Sequence, residues 1–442
     1  MSAPFPDRPP FSLRVRILSP LADGSTLWQP DGVVDVDADG AIVHAGQYDE
    51  TLHSGAIDVR PLVVLPGMVD THVHLPQVPN AGLGAGLDLL AWLERYIFPL
   101  ESDFDAEVAA ALAPKVYRAM ASAGTTTFAG YGAIWPDSLD ACFTAAKEHG
   151  IRATIGKVMM DRVTYDDQLP RDRILETSLR QSADLCERWD GAAEGRLRYA
   201  FTPRFAVSCS ADMLRESAAL ADHYDVTWQT HLAEDAREIA TVRQHFPEAD
   251  DYLDVYDRAG GLGPNALFAH SIYLSDREVD RLAESGAAVS HCPVSNMFIS
   301  SGVMPLARYQ AAGISVGLGS DVAGAPELSI ITQMREGFYQ HCSRHTIDPD
   351  HASAPPSLEW LRLGTLGGAE ALRLEDSVGS VEAGKEADLI LVDPELGAPP
   401  GAEPATEAAD VADRMIFRER HGMVRAAWVR GRQLAMEEPA RV

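Results

Sequence analysis

Imidazoles and a carboxylate recur in this sequence at the ends of apolar runs. Asp70-Thr71-His72-Val73-His74 follows one such run. Residues two apart on a strand point to the same side, so His72 and His74 would face one spot. Gln229-Thr230-His231-Leu232-Ala233-Glu234, Ala269-His270-Ser271 and Gly317-Leu318-Gly319-Ser320-Asp321 follow three more. His72, His74, His231 and Asp321 make a nitrogen–oxygen donor set that suits Zn²⁺ and leaves a position open for water. Each residue alone has an ordinary role, as a hydrogen-bonded core histidine or an aspartate capping a helix. Their recurrence at four strand ends is what points to a metal centre. A two-metal centre often needs a carboxylated lysine at the fourth strand end. That end reads Thr202-Pro203-Arg204-Phe205, and the chain's lysines are only Lys115, Lys147, Lys157 and Lys385. One ion per subunit is therefore expected. H-E-x-x-H and P-C-x-x-C patterns are absent, which excludes zincin and cytidine-deaminase types of site.

The elements that must position these side chains alternate in type. Short β-branched runs at 62–69, 125–129, 153–158, 197–202, 226–230, 266–269, 287–290 and 314–318 are separated by segments long enough for a helix, such as 105–122, 171–189 and 211–223. Eight βα units predict an α/β fold of the (β/α)8 TIM type, with its active site at the C-terminal strand ends. The flanks differ. Segments 13–17, 33–36 and 41–44 alternate between Asp-Gly turns, and 387–392 and 423–429 read the same way. The two chain ends are expected to build a small composite β-sandwich domain, 1–61 with 376–442, beside a barrel of 62–375.

Composition narrows the class. In 442 residues, 37 basic against 65 acidic side chains leave a charge of −28. Phosphates would be repelled, so no nucleic-acid or anionic-membrane partner is expected. No run approaches 18 apolar residues, and the proline-rich start does not read as a signal peptide. Five scattered cysteines without a C-x-x-C pair read as reduced thiols of a cytoplasmic protein.

The sequence resembles the amidohydrolase superfamily in Pro66-Gly67-Met68-Val69-Asp70-Thr71-His72-Val73-His74, Gly124-Thr125-Thr126-Thr127, Leu318-Gly319-Ser320-Asp321 and Gly384-Lys385-Glu386-Ala387-Asp388. Within it, the guanine deaminases are the most similar pattern. That likeness lies in His74-Leu75-Pro76-Gln77, Phe98-Pro99-Leu100-Glu101, Gly156-Lys157-Val158-Met159-Met160-Asp161, Thr202-Pro203-Arg204-Phe205, His231-Leu232-Ala233-Glu234 and Asp321-Val322-Ala323-Gly324.

The resemblance implies a zinc-dependent hydrolysis of guanine to xanthine and ammonia, by a homodimer acting on a small-molecule purine. Zn²⁺ lowers the pKa of water from 15.7 to about 7. Asp321 would accept the proton of the attacking water, and Glu234 would shuttle a proton to the ring and then to the amine. His270 would contact the water or substrate. Gln77 and Arg204 would read the base edge, Phe205 would stack on the ring, and His74, Glu234 and Asp321 would also touch the substrate. Trp92, Tyr96, Phe98 and Trp135 read as packing residues, and His291 as structural. The alternatives are a deaminase of 8-oxoguanine, a pterin or a triazine, a cyclic amidase, or a barrel kept as a scaffold.

Overall fold

The computed structural model describes residues 5–437; residues 1–4 and 438–442, the outermost parts of the two terminal segments, lie outside the described residues. Sixteen strands fall into two sheets. Seven form a small sheet: β1 (Phe11–Pro20), β2 (Thr26–Val36), β3 (Ile42–Gln47), β4 (Ile57–Pro66), β14 (Leu389–Val392), β15 (Val424–Val429) and β16 (Arg432–Gln433). The other nine are β5 (Met68–His74), β6 (Thr125–Tyr131), β7 (Arg152–Gly156), β8 (Val158–Met159), β9 (Leu197–Pro203), β10 (Thr227–Leu232), β11 (Ala266–His270), β12 (Ala288–His291) and β13 (Val316–Leu318).

The large sheet is a (β/α)8 barrel. Its order is β5-β6-β7-β9-β10-β11-β12-β13, every ladder is parallel, and the two-residue β8 extends β7's path by pairing with β9. Backbone bonds from Asp321 N to His72 O (2.7 Å) and from His74 N to Val322 O (3.2 Å) join the last strand's end to the first. All seven residues of β6 are buried, as expected for a strand covered on both faces. The predicted helices form at Ala106–Ser122, Arg171–Trp189 and Ala211–Tyr224. Asp105 and Ser210 cap the first and third, each accepting a backbone N–H of the first turn.

The first barrel strand lies later than predicted. Residues 62–66 finish β4 of the small sheet, where Leu65 faces Ile390, and Met68–His74 is the barrel strand. The two apolar runs abut, and only Pro66-Gly67 separates them. A Cβ on Gly67 would lie 1.9 Å from Thr126 Oγ1, so the turn depends on glycine. His72 and His74 are thus strand residues rather than residues of the following loop.

The segments expected to form a sandwich are hydrogen-bonded as one seven-stranded sheet, ordered β16-β15-β14-β4-β1-β2-β3, with strands of both chain ends side by side. Alternation along β4 divides its faces. Val64 joins Leu13, Val15, Ile17 and Trp428 in the sheet's own core, while Val63 and Leu65 join the barrel core. Charge fastens the two bodies together. Buried Arg152 at the start of β7 donates to Asp388 at 2.9 Å and to Glu386, and Arg430 donates to Glu386 at 2.7 Å. The Gly384–Asp388 stretch is therefore an anchor between sheet and barrel.

Just beyond β7, Lys157 is buried with its Nζ 2.8 Å from Ser178 Oγ on the helix Arg171–Trp189. Burial pushes its ammonium from 10.5 down to about 7. The unfolded chain binds the proton more tightly than the folded one. Stability should therefore rise with pH between these values, by at most about 1.4 kcal/mol per pH unit from this group. Lys157→Met should flatten that rise in urea midpoints measured from about pH 7 to about pH 9. An unchanged slope would assign the dependence to other groups.

Candidate active site

The barrel's first strand brings two imidazoles to its C-terminal rim, and three other strands complete the cluster. The His72 and His74 rings lie 4.9 Å apart at 85°, and the His231 ring is 4.8 Å from His72 and 5.2 Å from His74. Asp321 Oδ1 is 3.2 Å from His72 Nε2 and 3.5 Å from His74 Nε2. His270 Nε2 is 3.7 Å from Asp321 Oδ2 and 3.3 Å from Glu234 Oε2. The backbone bends sharply to achieve this. Ala233, His270, Ser271 and Asp321 all hold left-handed φ, between 48° and 68°, which is uncommon for non-glycine residues.

Neighbouring groups fix each ring. The Arg204 carbonyl lies 2.7 Å from His231 Nδ1, so Nδ1 carries the proton and Nε2 presents a lone pair to the cluster. Asn296 Oδ1 does the same for His270 Nδ1 at 2.9 Å. The Tyr131 ring packs against His72 and His74, with centroids 4.7 and 4.6 Å away. Asp70 accepts the amides of His72 (3.1 Å) and Ser320 (2.9 Å) and the Ser320 hydroxyl, tying the strand of His72 and His74 to the loop bearing Asp321. Burial pushes the Asp70 carboxyl up to about 7.

These donors fit a metal ion. Burial, then neighbouring imidazoles, push His74 and His231 well below the ordinary histidine range, and burial lowers His72 as well. Neutral imidazoles with free lone pairs result. His72 Nε2 and His270 Nε2 are buried without a hydrogen-bond partner, and His74 Nε2 confronts His231 Nε2 at 3.2 Å. Ligand atoms of His72, His74 and His231, and of His72, His270 and Asp321, lie within 4.8 Å of one another. His72 belongs to both groups. Burial alone would raise Asp321, but the charge and proton that the His72 edge can carry, and then the charge that His270 and His74 can carry, outweigh it and hold the carboxylate well below its usual range.

The cluster floors a narrow cavity. Gln77, Arg204, Phe205 and Glu234 stand in its wall with Trp92 and Ile299. Glu234 accepts the Ser301 hydroxyl at 3.1 Å, while burial and the charge of Asp321 push its carboxyl well above the ordinary glutamate range. Phe205 sets its ring edge-on to His231 at 6.3 Å. Every candidate residue read from the sequence except His72 lines that cavity, and His72 stands behind it against His74, His231 and Asp321. Trp92, read there as packing, lines it. Phe98 lies against the Arg204 guanidinium at 5.3 Å, and Trp135 packs elsewhere, donating to Ser102 O. His291 faces His341 and Trp360, with centroids 6.1 and 6.3 Å away.

Sequence reasoning missed Glu101, Asn296 and Ser301. Glu101 is fully buried, accepts Gln77 Nε2 at 2.7 Å and is paired with Arg204. Its stretch, Phe98-Pro99-Leu100-Glu101, stood out in the sequence without a role. Asn296 and Ser301 lie in and after a six-residue helix (Pro293–Phe298) that carries no periodic signal.

The amidohydrolase family model matches residues 63–434. The chain belongs to that family. Among sequence relatives of this amidohydrolase, the "Probable guanine deaminase" of Deinococcus radiodurans is 38% identical over 380 residues, covering 83% of this chain and 84% of that protein. Among solved structures, E. coli guanine deaminase superposes with a TM-score of 0.88 at 30% identity, covering 97% of this chain and 100% of that one. Guanine deaminase from C. acetobutylicum, with bound guanine in its active site, gives 0.89 at 25% identity over 96% and 99%.

Because His72 sits in both donor groups, His72→Ala should lower zinc affinity by more than about tenfold, since even outer-shell changes cost that much. Metal analysis after dialysis should find the variant depleted, with His291→Ala still loaded. Full occupancy in His72→Ala would remove it from the ligand set.

Proposed function

We propose that this amidohydrolase deaminates guanine hydrolytically to xanthine and ammonia, using one Zn²⁺ held by His72, His74, His231 and Asp321. The observation that carries the reading is a metal-competent floor beneath a wall that pairs a guanidinium with an amide. Arg204 donates only, which suits the O6 and N7 acceptors of guanine, and the Gln77 amide oxygen offers an acceptor to the N–H of a lactam edge. The similarity to guanine deaminases over most of the chain supports the same substrate.

Zn²⁺ held there supplies the Lewis acidity that makes water a nucleophile at neutral pH. The chain's own groups move the protons. Asp321, ionised, takes a proton from the attacking water as its oxygen bonds to C2. Glu234 is kept in its acid form by burial and by Asp321, so it gives its proton to the ring nitrogen beside C2. It then takes a proton from the new hydroxyl and hands it to the amine. The C2–N bond breaks, C2=O forms, and ammonia leaves. The proton stored on Asp321 restores Glu234, and His270 Nε2 lies between the two carboxylates, 3.7 and 3.3 Å away. Phe205 and Trp92 shield the ring from water.

The setting follows from the same reading: a cytoplasmic enzyme of purine breakdown, acting as a homodimer. Supporting the reducing compartment, Cys142, Cys186, Cys209, Cys292 and Cys342 are all free thiols, the first four buried. No helix among the described residues is long and apolar enough to cross a membrane.

Zinc-loaded protein should release ammonia from guanine with kcat/KM of about 10⁴ M⁻¹s⁻¹ or more. Glu234→Gln should keep its metal and lose about 10²–10⁴ in kcat. Turnover of a pterin or melamine in place of guanine would overturn the substrate assignment. A wild-type rate in Glu234→Gln would remove that residue from proton transfer.

A further inference from the structure

Glu101 takes no part in the proton transfers above, yet it is the most deeply placed charge behind the cavity wall. It stands on the short helix Phe98–Ser102 and is 0% exposed, with Gln77 at 1% and Arg204 at 2%. Both of its oxygens are used. Oε1 accepts Gln77 Nε2 at 2.7 Å, and Oε2 accepts Arg204 Nη1. The far side of the guanidinium rests on the Phe98 ring at 5.3 Å, so Arg204 is held from two directions.

This arrangement fixes a polarity. A carboxylate paired with a guanidinium accepts hydrogen bonds and donates none. The opposite orientation of the Gln77 amide would set its oxygen against a carboxylate oxygen, two acceptors face to face in a dry wall. The amide nitrogen is therefore turned to Glu101. Gln77 Oε1 has the Ala323 amide as a partner, at 3.3 Å, and a carbonyl oxygen has a second lone pair to offer. The wall consequently presents a fixed donor, Arg204, beside a fixed acceptor, Gln77. A lactam edge carries the complement, C6=O beside N1–H. A purine whose N1 is unprotonated and which lacks the 6-oxo group carries neither.

Resting on the guanine reading, we infer that Glu101 is the positioning residue that sets base specificity: by orienting the Gln77 amide and the Arg204 guanidinium, it commits the pocket to 6-oxopurines with a proton on N1. Glu101→Gln keeps the shape and reverses part of the polarity. Its own amide nitrogen would meet that of Gln77, which relaxes by turning Oε1 toward residue 101 and presenting NH₂ to the ligand.

The test compares guanine with 2-aminopurine, which keeps the 2-amino group but has no 6-oxo group and no N1 proton. In the zinc-loaded wild type, kcat/KM should favour guanine strongly. Glu101→Gln should cut that preference by about tenfold or more, because a polar wall rejects an edge that leaves its groups unpaired. Its zinc content should stay at the wild-type level. Glu101→Asp, which keeps both acceptors, should keep the preference within about threefold of wild type even where both rates fall. Gln77→Met leaves Glu101 and Arg204 untouched and should lose the preference as Glu101→Gln does. Equal losses on both substrates in Glu101→Gln would make Glu101 merely structural and overturn the inference. So would an unchanged preference in Gln77→Met, even if Glu101→Gln yields no folded protein. A wild type that ignores guanine altogether sinks the functional reading itself and the inference with it. A wild type that prefers guanine, with unaltered preference in the variants, sinks the Glu101 role alone.

Discussion

Four buried imidazoles and a carboxylate crowded around one point cannot be satisfied by one another, and the rest of the architecture serves to hold them there. His74 and His231 face each other nitrogen to nitrogen at 3.2 Å, and the Nε2 atoms of His72 and His270 lie 3.2–3.7 Å from carboxylate oxygens without a hydrogen bond. Each orphaned buried polar atom of this kind costs about 1–3 kcal/mol. A divalent cation held by these donors would remove that cost, since their ligand atoms lie in two groups, each within 4.8 Å, that share His72. The strain is carried locally as well, in the left-handed backbone of Ala233, His270, Ser271 and Asp321. Such positions persist only where surrounding structure over-determines them. Here the barrel closure through Asp321 N and His72 O, and the three hydrogen bonds received by Asp70, do so.

From this constraint the division of labour in the site follows. The same burial that strips protons from the imidazoles loads one onto Glu234, so ligand and acid coexist a few ångströms apart without different solvents. Two carboxylates facing one imidazole, His270, take opposite states: Asp321 is drawn down by the histidines around it, and Glu234 is driven up by burial and by Asp321. Further out, a third carboxylate, Glu101, neutralises Arg204 and so allows a permanent charge to stand in a dry wall. The molecule's overall charge of −28 plays no part in this chemistry, which depends on groups almost wholly shielded from the surface.

Much of this was legible in the sequence. Candidate metal ligands stand out because histidine at the end of an apolar run conflicts with burial unless something binds it, and the i, i+2 spacing of His72 and His74 fixes their direction. The barrel was legible because β-branched runs alternate with capped helical segments such as Asp105–Ser122. Two things were not. The border between small sheet and barrel hides in a nearly continuous apolar stretch, since residues 63–66 and 68–74 are buried alike and only the crowding of Gly67 against Thr126 marks the turn. The supporting shell was also silent. Glu101, Asn296 and Ser301 act through partners distant in sequence, and a lone glutamate after Phe-Pro-Leu gives no hint that it will meet Gln77 and Arg204.

The proposed site holds one metal ion on His72, His74, His231 and Asp321. Zinc-edge X-ray absorption on the loaded protein tests it most directly. Nitrogen and oxygen neighbours alone at about 2.0–2.2 Å, with imidazole scattering from three histidines, is the predicted result. A sulfur shell at about 2.3 Å, or a second metal at about 3.5–4 Å, would contradict it.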